Sequence, residues 1–162
     1  MMPQISVSRS GSGPLALYQA LSKIRRAEVL VGIPQRTAGR PRQKINNAAL
    51  LYIHTHGSPV RGIPARPVIE PAIQAEGNRQ AIAVELEAAA KAWLDKNPVK
   101  ATAFLRRAGI AGVNASKSWF VDPRNRWAPN APSTIKRKGS DRPLIDTGAM
   151  RKSITFVVRE ET

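Results

Sequence analysis

The run from Arg142 to Val158, RPLIDTGAMRKSITFVV, sets the tightest limits on the fold, because it requires a turn, a turn of helix and a strand in immediate succession. Pro143 and the triplet Asp146, Thr147, Gly148 predict the turn: Asp146 can cap the N–H groups that follow, and Gly148 tolerates angles that a Cβ forbids. One helical turn follows through Met150 and Lys152. From Ser153 to Val158 the residues alternate, with Ile154, Phe156 and Val158 on one face and Ser153, Thr155 and Val157 on the other. Such a strand needs a partner. Glu28 to Ile33, EVLVGI, closed by Gly32 and Pro34, is the best one. With long helical stretches elsewhere, this predicts an α+β fold: a small mixed or antiparallel sheet packed by several helices, with extended loops and arms. A chain of 162 residues suits one domain, 1–162.

The boundary Gly11-Ser12-Gly13-Pro14 predicts a helix to about Arg26, with Leu17, Tyr18, Leu21 and Ile24 as its packing face. Residues 1–12 read as an N-terminal arm or edge strand, from the alternation of Ile5 and Val7. Asn46 or Asn47 caps a helix that runs to about His56 and stops at Gly57. Glu70 to Lys96 is the longest helical stretch, with a kink near Gly77 and a packing stripe of Ile82, Leu86, Ala89 and Trp93. Asn97-Pro98 starts another, through Phe104 to Phe120, which Gly109 and Gly112 weaken in the middle. Between these lie three proline-rich segments, 34–45, 57–71 and 122–143, expected as extended loops.

Charge narrows the partners. A formal net charge of +15 attracts polyanions or acidic protein surfaces. Arg36, Arg40 and Arg42, with no acid nearby, read equally as a solvated loop or as a basic finger that orders on a partner, and Lys136, Arg137 and Lys138 as a compact patch suited to phosphate or carboxylate. Aromatic residues make up only 5% of the chain, so the core is thin and order comes partly from neighbours. Trp127, alone in a basic loop, reads as an anchor in a pocket, within the fold or on a neighbour, more than as a base-stacking platform. No cysteine means no disulfide and no thiolate chemistry. No apolar run approaches membrane-spanning length.

Catalytic chemistry finds little to stand on. Leu144 to Ala149 looks like the nucleophile loop of retroviral-type aspartic proteases, but such an enzyme needs a second aspartate and a flap, and too little chain follows Gly148. The triplet therefore reads as a structural turn. His54 and His56 fall about 200° apart on a helix, with no third ligand nearby. There is no glycine-framed serine and no phosphate-binding glycine loop. The expectation is a protein without catalytic residues, metal or cofactor.

Several short motifs together resemble the virion-morphogenesis and tail-completion proteins of tailed bacteriophages. They are Tyr52 to Gly57, then Ile63-Pro64-Ala65-Arg66-Pro67, then Trp127-Ala128-Pro129 with Thr134, Arg137 and Lys138, then Leu144 to Gly148 and Ser153-Ile154. The resemblance covers about half the chain, with the motif order reversed as in a circular permutation. It implies a virion protein of the neck, assembled in the host cytoplasm. The copies would form a homo-oligomeric ring, a hexamer, that completes or caps the tail tube, between tube protein and head-side connector. Ile63, Pro64, Arg66, Pro67 and Trp127 would contribute subunit or tube contacts; Arg36, Arg40 and Arg42 would reach an adjoining ring. The rival reading is a basic nucleic-acid-binding protein, and nonspecific DNA contact is compatible with both.

Overall fold

The computed structural model describes residues 13–41 and 43–160, and one long helix organises them. This helix, α5 (Pro98–Trp119), is capped by the Asn97 side chain, which accepts from the Lys100 N–H at 3.0 Å. Around it lie α1 (Gly13–Arg26), β1 (Ala27–Gly32), α2 (Asn47–His56), α3 (Ile69–Gln74), α4 (Asn78–Leu94), α6 (Pro132–Lys138), α7 (Ala149–Ser153) and β2 (Thr155–Glu160). The fold is α+β. Among the described residues β1 and β2 form a two-stranded antiparallel sheet, running from Ala27 opposite Glu160 to Gly32 opposite Thr155. The strand partner expected from the sequence is therefore the one found. The expected N-terminal arm, and Arg42 of the basic finger, lie outside the described residues.

Helix α5 runs unbroken through the two glycines that were expected to weaken it. A Cβ on Gly109 would fall within the ring of Phe156, and one on Gly112 would come within 2.8 Å of Val31 Cγ2. The two glycines form a notch that lets the sheet lie directly on the helix. Packing outweighs their poor helix propensity, about 1 kcal/mol each. Val29, Val31, Phe156 and Val158 thus face inward, and the opposite face presents Leu30, which is 40% exposed, beside Val157.

Two hydrophobic clusters lie along α5. Near its start, Leu105 and Ala101 pack with Ala20 of α1 and Ala89, Ala92 and Trp93 of α4. Small residues on small residues let α1 approach closely, and that contact sets its rotation. Ala20 and Ile24 face inward, whereas Leu17, Tyr18 and Leu21 are 51%, 69% and 52% exposed. The packing face expected for α1 is corrected accordingly: most of it is uncovered. Leu86 of α4 likewise faces outward, and the helical stretch from residue 70 is two helices, broken at Ala75–Gly77.

Near the end of α5, Trp119 and Phe120 pack with Leu51, Val68, Ala72, Met150 and Ile154. A polar latch holds this cluster together. Asn46, not Asn47, caps α2; Asn47 is buried and donates to Ser153 Oγ at 2.6 Å, while Thr37 Oγ1 donates to the Ser153 carbonyl at 3.1 Å. The 34–45 loop is thus tied down at Thr37 and at the buried Ala38, whose carbonyl accepts from the Asn47 N–H. The other expected loops also carry structure. Residues 59–61 and 123–125 form single 3₁₀ turns, α3 begins at Ile69, and Pro132–Lys138 is helix α6.

Candidate functional site

The motif residues scattered through the sequence meet at one place, held by a buried cation. Arg66 is only 6% exposed, and its guanidinium donates from Nε and Nη2 to the Ala128 carbonyl at 3.0 and 2.8 Å, and from Nη2 to the Pro129 carbonyl at 2.9 Å. The planar fork suits this, since one rigid group satisfies two adjacent carbonyls. Burial lowers the Arg66 pKa, yet a guanidinium stays charged at any physiological pH. Trp127 completes the clasp. Its indole Nε1 donates to the Pro67 carbonyl at 3.1 Å, and its ring meets Phe120 edge-on at 5.8 Å. Of the two places open to this indole, the structure gives a pocket within its own fold.

The clasp ties the 57–67 segment to the approach of α6. Gly57 ends α2 at φ 72, a left-handed angle, and a Cβ there would lie 2.8 Å from both the Ala65 nitrogen and the Ile63 carbonyl oxygen. Glycine lets the chain double back. Ser58 and Ile63 then pair as a tiny hairpin, 2.8 and 3.0 Å between their backbone groups, and the Arg66 N–H reaches back to the His54 carbonyl. On the other side Asn130 is buried and donates to the Asp141 carbonyl at 3.0 Å, which folds the segment after α6 against the segment before it.

Between hairpin and α6 lies an open cleft of about 1290 Å³. Among the described residues Arg40, Arg61, Arg66, Arg137 and Lys138 line it, against the single carboxylate of Asp146. Ile63, Pro129, Leu144 and Met150 give it apolar wall. His54 and His56 line it too, but they do not share a site: His56 Nδ1 lies 2.9 Å from the Tyr52 carbonyl, with the Tyr52 ring 4.2 Å from its own. His54 Nδ1 is buried without a hydrogen-bond partner among the described residues. Burial first, then the charges of Arg66 and Lys138, hold the His54 pKa below its ordinary value. Lys138 donates to the Arg142 carbonyl at 2.8 Å. Burial lowers its pKa, Asp146 opposes that, and Arg66 and Arg137 add to it.

The residues singled out in the sequence divide accordingly. Ile63, Pro64, Arg40, Arg137, Lys138 and Asp146 come together around the cleft. Arg66, Pro67 and Trp127 hold its frame, and Arg36 and Lys136 are exposed outside the lining. In the structural turn, Thr147 and not Asp146 accepts the following N–H, from Ala149 at 3.3 Å, and Gly148 at φ 76 precedes α7. Sequence reasoning missed Arg61, whose position before Gly62 on a hairpin tip is the signal that it faces outward. It also missed the Asn47–Ser153 latch, which nothing in either local sequence announces. Among the described residues no three His, Asp or Glu side chains gather as metal ligands, and no helix is long and apolar enough to cross a membrane. Comparisons with protein families, with curated proteins and with solved structures find no match to this chain.

Proposed function

We propose that this chain is a structural subunit of a tailed-phage neck, assembling as a ring that completes or caps the tail tube and joins it to the head. It works by binding neighbours, not by catalysis. The observation that carries the assembly reading is the uncovered apolar surface of α1: Leu15, Leu17, Tyr18 and Leu21 are each more than half exposed on a helix that buries only Ala20 fully. Among the described residues nothing covers these side chains, and a neighbour's surface would remove them from water. Of the motifs that carry the resemblance, His54, His56, Gly57, Leu144 and Asp146 line the cleft, and Arg66, Pro67, Trp127, Ala128 and Pro129 form its clasp. In a closed ring the face carrying α1 would meet a different face of the next copy.

Electron microscopy and light scattering of the purified protein test this reading. Closed rings are expected at micromolar concentration or on mixing with tail tubes. Leu17→Asp combined with Leu21→Asp should abolish them while leaving the far-ultraviolet circular dichroism unchanged. A chain that stays single-copy alone and with tubes, or rings indifferent to those substitutions, would reject it.

A further inference from the structure

We propose that the cleft between the 58–63 hairpin and α6 is a docking site for an extended acidic segment of a partner protein, gripped at the rim by Arg61 and Arg137. The site lies within one copy, so the inference goes beyond ring assembly and stands or falls separately from it.

The charge of the cleft favours an acidic occupant. Among the described residues five cationic side chains line the cleft against one carboxylate, and the most buried of them, Arg66, has only neutral carbonyl partners. An enclosed positive charge without a counter-ion acts at close range, because low-dielectric walls screen it weakly. Burial first, and the charge of Arg66 after it, lower the pKa values of His54 and Lys138. Among the described residues Arg61 and Arg137 pair with no acid; the ion pairs that form are Arg107 with Glu85 and Arg124 with Asp122, neither in the cleft. Both guanidiniums are exposed and can each receive a carboxylate through two parallel hydrogen bonds.

Shape selects among polyanions. A DNA duplex is a broad rod, and a cleft of about 1290 Å³ is too small to enclose one. A single strand seeks aromatic platforms for its bases, and no Phe, Tyr or Trp lines the cleft. Trp127 is turned into the clasp, and the exposed Tyr52 stacks beside His56 outside the lining. The wall instead offers Ile63, Leu144 and Met150 between the cations, which suits a chain alternating acidic and aliphatic side chains. At about 1290 Å³ the cleft exceeds the usual 300–1,000 Å³ of a small-molecule pocket and has room for several residues of extended peptide.

The test uses fluorescence anisotropy with a fluorescein-labelled decapeptide alternating glutamate and leucine. The intact protein should bind it, more weakly as salt rises. Arg61→Glu combined with Arg137→Glu should weaken binding at least about tenfold, equivalent to about 1.4 kcal/mol. Arg106→Glu, a charge reversal on the exposed side of α5, should change it far less, and circular dichroism should show all variants folded. No binding, or equal loss in the cleft and control variants, overturns the proposal. So does a labelled oligonucleotide, single-stranded or duplex, that binds more tightly than the peptide and is lost with the same cleft substitutions, since the site would then belong to nucleic acid.

Discussion

The ring of Phe156 occupies the space that a Cβ on Gly109 would need, so strand β2 rests against bare backbone of α5. Gly109→Ala should therefore destabilise the protein although alanine is the better helix former. Overpacking costs about 1–3 kcal/mol and the propensity gain returns about 1 kcal/mol, leaving a net loss of up to about 2 kcal/mol. Urea unfolding should show a lower midpoint at unchanged slope. Combining Gly109→Ala with Phe156→Leu should cost less than the two singly, and full additivity would mean that the two residues do not compete for space.

Arg66 is expected to matter more for stability than any other cation of the chain. Arg66→Ala leaves the Ala128 and Pro129 carbonyls without their donor and opens the clasp, at a cost of about 2–4 kcal/mol. Arg66→Lys should recover only part of this, because an ammonium cannot reproduce the fork. Chemical denaturation measures both, and a fully stable Arg66→Lys would show that charge alone suffices.

For Trp127 the structure separates two contributions. Trp127→Phe keeps a ring against Phe120 but loses the bond to the Pro67 carbonyl, for about 1 kcal/mol. Trp127→Ala removes the ring as well and should cost about 3–5 kcal/mol, less to the extent that the indole is only partly buried. Thermal unfolding followed at 222 nm distinguishes these from a role at a subunit contact, which would leave the monomer's stability unchanged.

His54 gives stability a pH dependence of known sign. Its pKa is lowered in the folded state, by burial and then by Arg66 and Lys138, so below the unfolded value of 6.5 the unfolded chain binds more protons. Its contribution is fully present above pH 6.5 and is lost as pH falls through the folded value. Melting temperature should fall on acidification below pH 6.5. His54→Gln should flatten that part of the profile; an unchanged profile would assign the effect to other groups.

Much of the fold was legible from local signals. The alternation of Ile154, Phe156 and Val158 and the run Val29 to Val31 led to each other, and Asn97-Pro98 marked the start of α5. What local signals did not carry was distance. Gly109 reads as a helix flaw until Phe156 is known to lie on it, and Leu17 and Leu21 read as core until Ala20 is known to meet Ala89. The cleft was half legible: its cations stood out by composition, but Arg66 read as a subunit or tube contact, and only its bonds to the Ala128 and Pro129 carbonyls, far along the chain, show it holding its own fold.

Helix α1 ends at Arg26 and strand β1 begins at Ala27, with no connecting residue between them. A joint without slack behaves as a lever: torque applied to the leucines of α1 passes straight into β1, and through Val31 to the notch at Gly112. Whatever grips the outer helix therefore pulls on the spine of the molecule, and slower amide exchange along β1 when α1 is covered would register that transmission.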